Sequence, residues 1–429
     1  MRQIKRTIPM YSFYDRTGIQ NYLEEQAAKG WMLEKAGTLC WRFRRMEPKK
    51  LKFSVVYFPE ADLYDSAPGE GEMTFRELCE HSGWHFIGSQ AQMQIFYSEL
   101  TNPVPIDTDP VIEVENIHKS MKKSMLPGYW LLMLSAVLQL ISQSISFFDR
   151  PVSYLSYDMN LFFILFWPSM LLVCMIRIIC YYRWHAKAEE AAEAGIFLES
   201  HGSQRLEAGW STLTLAGLVS LMIFGRSPLT MGTVLIGFAV ALGLIGVEAL
   251  VREKMKEKGC DAKANKLAAI LAGVAVMIAI IAIVTPMVVT VMDNTTEWKK
   301  DELPLKLTDL MDTEHSTLVM EHTESALLGY IRTMQYTDHL GKGPELQYKV
   351  IHVKAKFLYD LCLNNLEMGN AWELIPTEGV PWGANQAWVC MDGEDAGGYV
   401  LCYDDYILDI WPNWEMTEEQ MATIGNIFN

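Results

Sequence analysis

The sequence lacks the short motifs that mark the common enzyme classes. It has no His-Glu-x-x-His zinc motif, no Gly-x-Ser-x-Gly elbow, no P-loop and no Gly-x-Gly-x-x-Gly dinucleotide fingerprint. Its eight cysteines show no spacing typical of metal ligands. We therefore predict no catalytic residue, no metal and no cofactor. Whether the protein is an enzyme stays open, because a fold can bring together a catalytic pair that no motif announces.

A surplus of positive charge is also absent. The net charge is −16, and residues 293–429 contain 24 acidic and 8 basic residues, so the rest of the chain is neutral. Nucleic-acid phosphates need cations opposite them, which argues against a nucleic-acid partner. An acidic surface is typical of a solvated face. Calcium binding is the alternative for one cluster, which consists of Asp392, Glu394, Asp395, Asp404, Asp405 and Asp409.

No N-terminal signal peptide is predicted either, because the first apolar run begins only at residue 127. Five long apolar runs follow instead, and a helix needs roughly 20 such residues to cross a bilayer. Only helices satisfy their backbone polar groups in lipid at this composition. The sequence therefore predicts a five-helix transmembrane bundle over 127–292. Its spans are 127–148, 159–182, 210–225, 228–251 and 267–292.

Lysine and arginine near the ends of these runs predict the orientation. Twelve lie before the first span, between the second and third, and between the fourth and fifth, against five on the opposite side. We thus expect a multi-pass protein of the cell membrane with a cytoplasmic N-terminus and an extracytoplasmic C-terminus. Residues 1–116 form a cytoplasmic domain, 117–126 a basic juxtamembrane segment, and 293–429 an acidic outer domain.

Both soluble domains are predicted to be α+β. In the first, a strand at 11–14 precedes a helix over 17–29, and a second helix covers 75–82. Gly30-Trp31 and Gly83-Trp84 follow these helices, and two strands follow each pair. This order predicts a duplicated βαββ unit whose two tryptophans pack between helix and sheet.

The outer domain shows its own strand pattern. Four strands are predicted at 348–353, 386–391, 399–403 and 406–411, with a helix over 357–366. A terminal helix starts at the capping box of Thr417 and Gln420. A disulfide between Cys390 and Cys402 across a hairpin stays open, because connectivity cannot be read from sequence.

The first helix and its surroundings carry a family resemblance. Tyr-Leu-Glu-Glu-Gln-Ala-Ala-Lys-Gly-Trp-Met-Leu at 22–33, followed by Gly37 and Trp41-Arg42-Phe43, resembles the domain-of-unknown-function family numbered 2812. The resemblance covers about a quarter of the chain. It implies a bacterial protein, mostly of Firmicutes, with this domain ahead of membrane helices. It implies no activity, and neighbouring PadR-type repressor genes in the family hint at an envelope or stress-response context.

Basic residues cluster around one hairpin of this domain. Trp41 and Phe43 interleave with the arginines. One interpretation is contact with anionic lipid headgroups, and the other is a solvated strand face. The cluster consists of Arg42, Arg44, Arg45, Lys49, Lys50 and Lys52.

Polar residues within the spans are the remaining candidates for a site. Ser135, Gln139, Ser142 and Ser146 share one helix face. We expect this face to point into the bundle, either to line a solute path or to form ordinary interhelical hydrogen bonds. Arg177 and Glu248 lie at similar depth in the second and fourth spans, so an intramembrane ion pair is predicted, with snorkelling to the interface as the alternative.

These features favour an integral membrane protein that senses or regulates across the envelope without catalysis. The alternative is a transporter or permease-like component with a polar path along the first span. Five spans without an internal repeat or broken helices argue against that alternative. The lipid bilayer is the expected partner, and a membrane-protein partner stays open.

Overall fold

The computed structural model describes residues 3–8, 11–37, 40–200, 204–224, 240, 243–244, 246–248, 250–251, 254–255, 258–298, 303–314, 316–337, 343–369, 373–392 and 395–429. The chain divides into two compact units. One comprises residues 1–139, 167–216 and 240–278, and the other comprises 140–166, 217–239 and 279–429. Most of the predicted fourth span, 228–251, lies outside the described residues.

The N-terminal domain contains the order strand, helix, strand, strand twice. The first half is β1 (Ile4–Thr7), α1 (Arg16–Ala28), β2 (Trp31–Ala36) and β3 (Trp41–Arg45). The second half is β4 (Lys52–Tyr57), α2 (Glu70–His81), β5 (His85–Gln90) and β6 (Met93–Ser98). The two antiparallel sheets have equivalent strand orders, β1-β3-β2 and β4-β6-β5. The domain is therefore α+β, and its element order is the duplicated βαββ order of the prediction.

The repeat extends to details of the backbone. Gly30 and Gly83 follow the two helices with φ angles of +79° and +82°, a left-handed conformation that favours glycine. A β-bulge then interrupts the pairing of β2 with β3 at Leu33–Lys35, and of β5 with β6 at Phe86–Gly88. Both halves thus leave the helix and enter the hairpin in the same way.

Two details differ from the prediction. The segment predicted as a strand at 11–14 is a turn before α1, and its aromatic rings at Phe13 and Tyr14 are buried in the core. Trp84 is buried and donates from Nε1 to the carbonyl of Val104 over 2.7 Å. Trp31 is only half-buried, and the Arg45 guanidinium lies 5.0 Å from its ring centroid. Trp84 therefore packs as expected, and Trp31 packs against the main core while remaining partly exposed.

Long helices follow the domain. α3 (Pro110–Ser120), a π-helical turn (Met121–Met125) and α4 (Leu126–Asp149) form one 40-residue helix. A short helix, α5 (Pro151–Leu155), leads to α6 (Asp158–Glu193). α7 (Gln204–Phe224) and α8 (Ala262–Trp298) come next.

Three helical stretches are long and apolar enough to cross a membrane, against five in the prediction. Within the described part of the chain they are Pro110–Asp149, Asp158–Glu193 and Ala262–Ala279. α7, which covers 210–224 of the predicted third span, is not among them. The first two stretches exceed the roughly 20 residues that span a bilayer. Their ends therefore extend beyond the apolar runs.

The C-terminal domain is built on a seven-stranded antiparallel sheet of order β10-β11-β12-β13-β9-β8-β7. Its strands are β7 (Ser316–Glu324), β8 (Leu328–Tyr336), β9 (Glu345–Val353), β10 (Glu373–Thr377), β11 (Gln386–Asp392), β12 (Asp395–Cys402) and β13 (Tyr406–Pro412). Its helices are α9 (Leu307–Leu310), α10 (Tyr359–Gly369) and α11 (Glu418–Phe428). The domain is α+β, and the capping box of Thr417 and Gln420 begins α11 as predicted.

The two faces of this sheet bury different elements. One face packs on α9 and α11 through a core that includes Tyr348, Leu408 and Phe428. The other face contributes residues such as Ile351 to a core with residues of α5 and α10. The second face carries the candidate site.

The disulfide left open between Cys390 and Cys402 is absent. Cys402 pairs in register with Gln386, and Cys390 pairs with Gly398. Gln386 and Cys390 are four residues apart on one strand, which is about 13 Å. Bridged cysteines need Cα atoms within about 7 Å of each other. Both are buried, are not disulfide-bonded and lie in the same core as Cys362.

Candidate functional site

A row of charged residues crosses four neighbouring strands of the C-terminal sheet. Glu321 of β7 pairs in register with Arg332 of β8, Arg332 with Lys349 of β9, and Lys349 with Asp409 of β13. Residues that are directly opposite in an antiparallel sheet share one face. The register therefore places two anions and two cations side by side, in the order minus, plus, plus, minus.

An ion pair with a fully buried carboxylate anchors this row. Asp409 is 0% exposed, and its Oδ2 lies 2.6 Å from Nζ of Lys349. Trp411 donates from Nε1 to the other carboxylate oxygen, Oδ1, over 2.5 Å. A buried carboxylate without such partners is strongly destabilising. Asp409 thus fixes the positions of both the lysine amine and the indole ring.

Arg332 is the exposed member of the row. Among the side chains that the structure describes, none hydrogen-bonds to Arg332 or forms an ion pair with it. Glu321, its register neighbour, instead accepts a 2.5 Å hydrogen bond from Ser153 Oγ. The guanidinium of Arg332 is therefore available to a ligand.

Two depressions in the sheet surface share Arg332 and Lys349, and together they are called the sheet-face cleft. The first, of about 250 Å³, is also lined by Met320 and Trp411. The second, of about 170 Å³, is also lined by Tyr330. Burial, reinforced by Glu321, raises the pKa of the Tyr330 hydroxyl to about 12, so this group remains a neutral donor.

The second depression also contains residues of the segment that joins α4 to α6. Asp149, Arg150 and Ser153 form one wall of it. Val152, Tyr154 and Leu155 of that segment are buried in the sheet core. Ser325 Oγ donates to the carbonyl of Leu155 over 2.7 Å, which fixes the end of α5. The cleft is therefore lined by both the sheet and the connection between two long helices.

The predicted polar face of the first span lies on α4. Ser135 is half-buried, whereas Gln139, Ser142 and Ser146 are exposed. Ser146 Oγ donates to the carbonyl of Ser142 one turn earlier. The function of this face stays a prediction.

A neighbouring glutamine, which lies outside the predicted face, has a defined partner. Gln143 Oε1 accepts a 2.7 Å hydrogen bond from the Tyr154 hydroxyl of α5. This hydrogen bond links α4 to α5, the short helix that connects α4 to α6.

Arg177 and Glu248 each contact a tyrosine. The Arg177 guanidinium lies 5.7 Å from the ring centroid of Tyr129. Glu248 Oε1 accepts a 3.1 Å hydrogen bond from the Tyr64 hydroxyl. The predicted ion pair between them stays a prediction.

Three of the six basic residues in the cluster of the N-terminal hairpin pair with carboxylates. Arg42 forms two 2.8 Å hydrogen bonds with Glu34. Lys49 pairs with Glu99. Trp41 and Phe43, which interleave with the arginines, are buried in the core. These contacts are those of a solvated strand face, and contact with lipid headgroups stays a prediction.

The alternative of a calcium site receives no support from the three aspartates whose partners are defined. Asp404 Oδ1 accepts a 2.8 Å hydrogen bond from Asn385 Nδ2. Asp409 binds Lys349, and Asp405 pairs with Lys356. Within the described ranges, no three or more His, Cys, Asp or Glu side chains are grouped as metal ligands.

The sheet-face cleft has no signature in the linear sequence, because its residues come from four strands, from α10 and from the α4–α6 connection. The available signal is compositional. Arg332 and Lys349 are two of only eight basic residues after position 292. Without the strand register, that scarcity does not bring them together.

Comparison with known proteins is informative only for the N-terminal domain. No curated protein and no solved structure matches the chain. The resemblance drawn from the helix, Gly30 and Trp31 is confirmed: residues 15–128 match the family model described as "Protein of unknown function (DUF2812)".

Proposed function

We propose that this chain is an integral membrane protein that transmits a signal between a cytoplasmic DUF2812 domain and an extracytoplasmic ligand-binding domain, without catalysis. The observation that carries this proposal is that α4 and α6 are joined to a folded core at each end. An apolar helix whose two ends are built into two cores passes a displacement from one core to the other more directly than a flexible tether does.

Where α3, the π-helical turn and α6 meet the N-terminal domain, the core contacts are aromatic and apolar. Ile117, Met121 and Tyr181 belong to the main core of the N-terminal domain. Tyr14 packs on Tyr181, with ring centroids 5.3 Å apart. Thr17 and Ser200 exchange two hydrogen bonds of 3.2 Å. The start of α1 is therefore attached to α6 and to the segment after it.

At their opposite ends, α4 and α6 are attached to the C-terminal sheet through α5, which makes apolar and polar contacts with it. Because α5 lies between α4 and α6 in sequence, a shift of the sheet that carries α5 with it moves both helices. A ligand that binds Arg332 or Lys349 lies beside the wall formed by Arg150 and Ser153. This is the place where binding would bias the position of the helices.

The location of the two domains is tested by thiol labelling of intact cells. The native Cys402 is buried and unsuitable. In a chain with all native cysteines replaced by alanine, Phe357→Cys (79% exposed) and Leu78→Cys (64% exposed) supply accessible thiols. We expect an impermeant reagent to label position 357 in intact cells and position 78 only after lysis. Labelling of both or neither before lysis, with both reactive afterwards, contradicts the layout.

Coupling is tested by detaching α5 in the full-length protein in nanodiscs. Val152 is 3% exposed, so Val152→Asp places a charge in the sheet core. Val380→Asp, at a position 85% exposed, is the matched control. We expect Val152→Asp to accelerate amide hydrogen exchange in α5 and also in 117–126 and α1. Acceleration confined to 140–166 and the C-terminal domain argues against coupling.

A further inference from the structure

The pairing of Arg332 with Lys349 is a feature of the sheet-face cleft that folding alone does not favour. Like charges directly opposite each other on neighbouring strands are destabilising. Asp409 forms an ion pair with Lys349, whereas Glu321, the register neighbour of Arg332 on its other side, forms no ion pair with it among the described side chains. A local arrangement that opposes stability, without a compensating contact, is expected where the residue serves a ligand.

The charge of the surroundings makes this cation pair more unusual. Residues 293–429 carry 24 acidic and only 8 basic residues. Yet the described lining of the 250 Å³ depression contains Arg332 and Lys349, and no carboxylate is among the lining residues that the structure describes. A cationic concavity on an acidic domain attracts anions locally while the remaining surface repels them, which favours small anions over large polyanions.

The apolar side of the depression is also constructed by specific residues. The indole of Trp411 is fixed by Asp409 and lies against Gly397 and Gly398. A Cβ atom at Gly398 would lie 2.7 Å from an indole carbon, so glycine leaves room for the ring there. Met320 supplies a second apolar surface. A ligand with a carbon skeleton would therefore find both an anion-binding group and an apolar wall.

We infer that the sheet-face cleft binds a small organic anion, with its carboxylate or phosphate held by Arg332 and Lys349 and its carbon skeleton against Trp411 and Met320. This inference deepens the proposed function and rests on it only for the side of the membrane from which the anion comes. An arginine fork and an ammonium group suit both carboxylate and phosphate oxygens. The phosphate of a lipid headgroup and a free solute share this chemistry, so the test separates them.

The test reads out Arg332 directly. Full-length protein in neutral phosphatidylcholine nanodiscs is treated with phenylglyoxal, which modifies accessible arginines, and the modification at each arginine is quantified by mass spectrometry. Succinate and inorganic phosphate are the free-anion probes, up to 50 mM. A second arm replaces part of the neutral lipid by phosphatidylglycerol, without a free anion. Arg42, which is paired with Glu34, is the internal reference.

We expect a free anion to protect Arg332 selectively, with Arg42 unaffected. Protection by phosphatidylglycerol alone assigns the anion to a lipid headgroup and keeps the site. Absence of protection in both arms overturns the inference. The result does not depend on the cysteine labelling that tests the membrane layout, so a failure there is distinguishable from a failure here.

Substitutions separate binding from folding. For the protecting anion, calorimetry on Arg332→Gln should give an affinity at least about tenfold weaker, because one charge-assisted hydrogen bond is lost. Arg332→Lys should recover part of the affinity. Lys356→Gln removes an exposed cation of the same domain that lies outside the cleft lining, and it should bind as the wild type does. Equal affinities in Arg332→Gln and Lys356→Gln overturn the assignment.

Discussion

The two βαββ halves of the N-terminal domain have the same connectivity, the same strand order, the same left-handed glycine and the same bulge, yet they bury different surroundings. Phe43 of β3 and Phe96 of β6 occupy equivalent positions, opposite Leu33 and Phe86 in their hairpins. Both are fully buried. Phe43 belongs to the main core, which contains Ile117 and Tyr181, whereas Phe96 belongs to a small core around Trp84.

The helices of the two halves differ in the same way. α1 packs in the main core, is capped by Asp15 and binds α3 through the 2.5 Å contact of Arg16 with Glu113. α2 has no side-chain cap, and its buried Glu72 pairs with Arg76 and Gln94 of the same half. A duplicated fold thus provides one half for attachment to the long helices and another that completes the domain. The sequence repeat alone does not reveal this division.

The largest expected effect comes from emptying the two equivalent core positions. Phe43→Ala and Phe96→Ala should each lower the free energy of unfolding by about 3–5 kcal/mol, because each leaves a cavity in a packed core. They should differ in hydrogen exchange: Phe43→Ala should accelerate exchange at 117–126 and 178–181, and Phe96→Ala should not. Equal acceleration of these segments by both substitutions would show that the two cores act as one.

The pH dependence of Glu113 sharpens the same comparison. Burial, opposed by Arg16 and reinforced by Asp107, raises the pKa of this carboxyl from 4.5 to about 7. Glu113 lies in α3, ahead of the apolar run that begins at residue 127. A pKa raised in the folded state gives stability that is present below pH 4.5 and is lost as the pH rises through 7. The loss should be on the order of 2–3 kcal/mol.

Chemical denaturation between pH 4.5 and 8 measures this loss. Glu113→Gln should reduce the fall in unfolding free energy with pH relative to the wild type, because glutamine does not titrate. Glu115→Gln, at an exposed position of the same helix, should leave the fall unchanged. If Glu113→Gln and the wild type have the same pH profile, Glu113 does not titrate in this range.

The two glycines distinguish the halves by what surrounds them. A Cβ atom at Gly30 would lie 2.8 Å from the backbone carbonyl of Met46, and one at Gly83 would lie 2.8 Å from the flexible side chain of Leu100. Both alanines pay left-handed strain of roughly 1–2 kcal/mol. We expect Gly30→Ala to destabilise the protein more than Gly83→Ala in thermal denaturation. The Leu100 side chain near position 83 can move aside, whereas the Met46 backbone near position 30 is held in place. The reverse order would mean that the Met46 segment shifts easily.

Some parts of the fold were predictable from the sequence and others were not. The repeat was predictable because each helix ends at a glycine followed by tryptophan, a local signal that survives duplication. β7 and β8 were missed, and the bulge in their pairing at Val319–Glu321 interrupts the alternation on which strand prediction depends. The count of spans depended on hydropathy alone. Among the described residues, three of the five predicted spans lie in helices long and apolar enough to cross a membrane, and most of the fourth lies outside those residues.

The candidate site was less accessible for a physical reason. Arg332, Lys349 and Asp409 become neighbours only through the register of three strands, and register depends on long-range packing. In the sequence, Asp409 belongs to an acidic cluster for which a solvated face and calcium binding are the alternatives, because adjacent carboxylates are visible in the chain whereas a lysine 60 positions away is not. Local patterns therefore predicted elements, and the non-local charge row required the structure.

The smallest expected effect concerns the basic hairpin of the first half, for which lipid contact was predicted as one alternative. Arg42 is held by Glu34, whereas Arg44 forms no ion pair among the described residues. Exposed ion pairs contribute little to stability. Arg42→Gln should therefore leave the thermal denaturation unchanged within error, and it should not alter the binding of detergent-solubilised protein to phosphatidylglycerol vesicles. Arg44→Gln is the matched variant without a pair to break.

If either substitution weakens vesicle binding while phosphatidylcholine controls stay equal, the hairpin is a headgroup-binding surface. The first half would then attach the domain to the bilayer as well as to the helices.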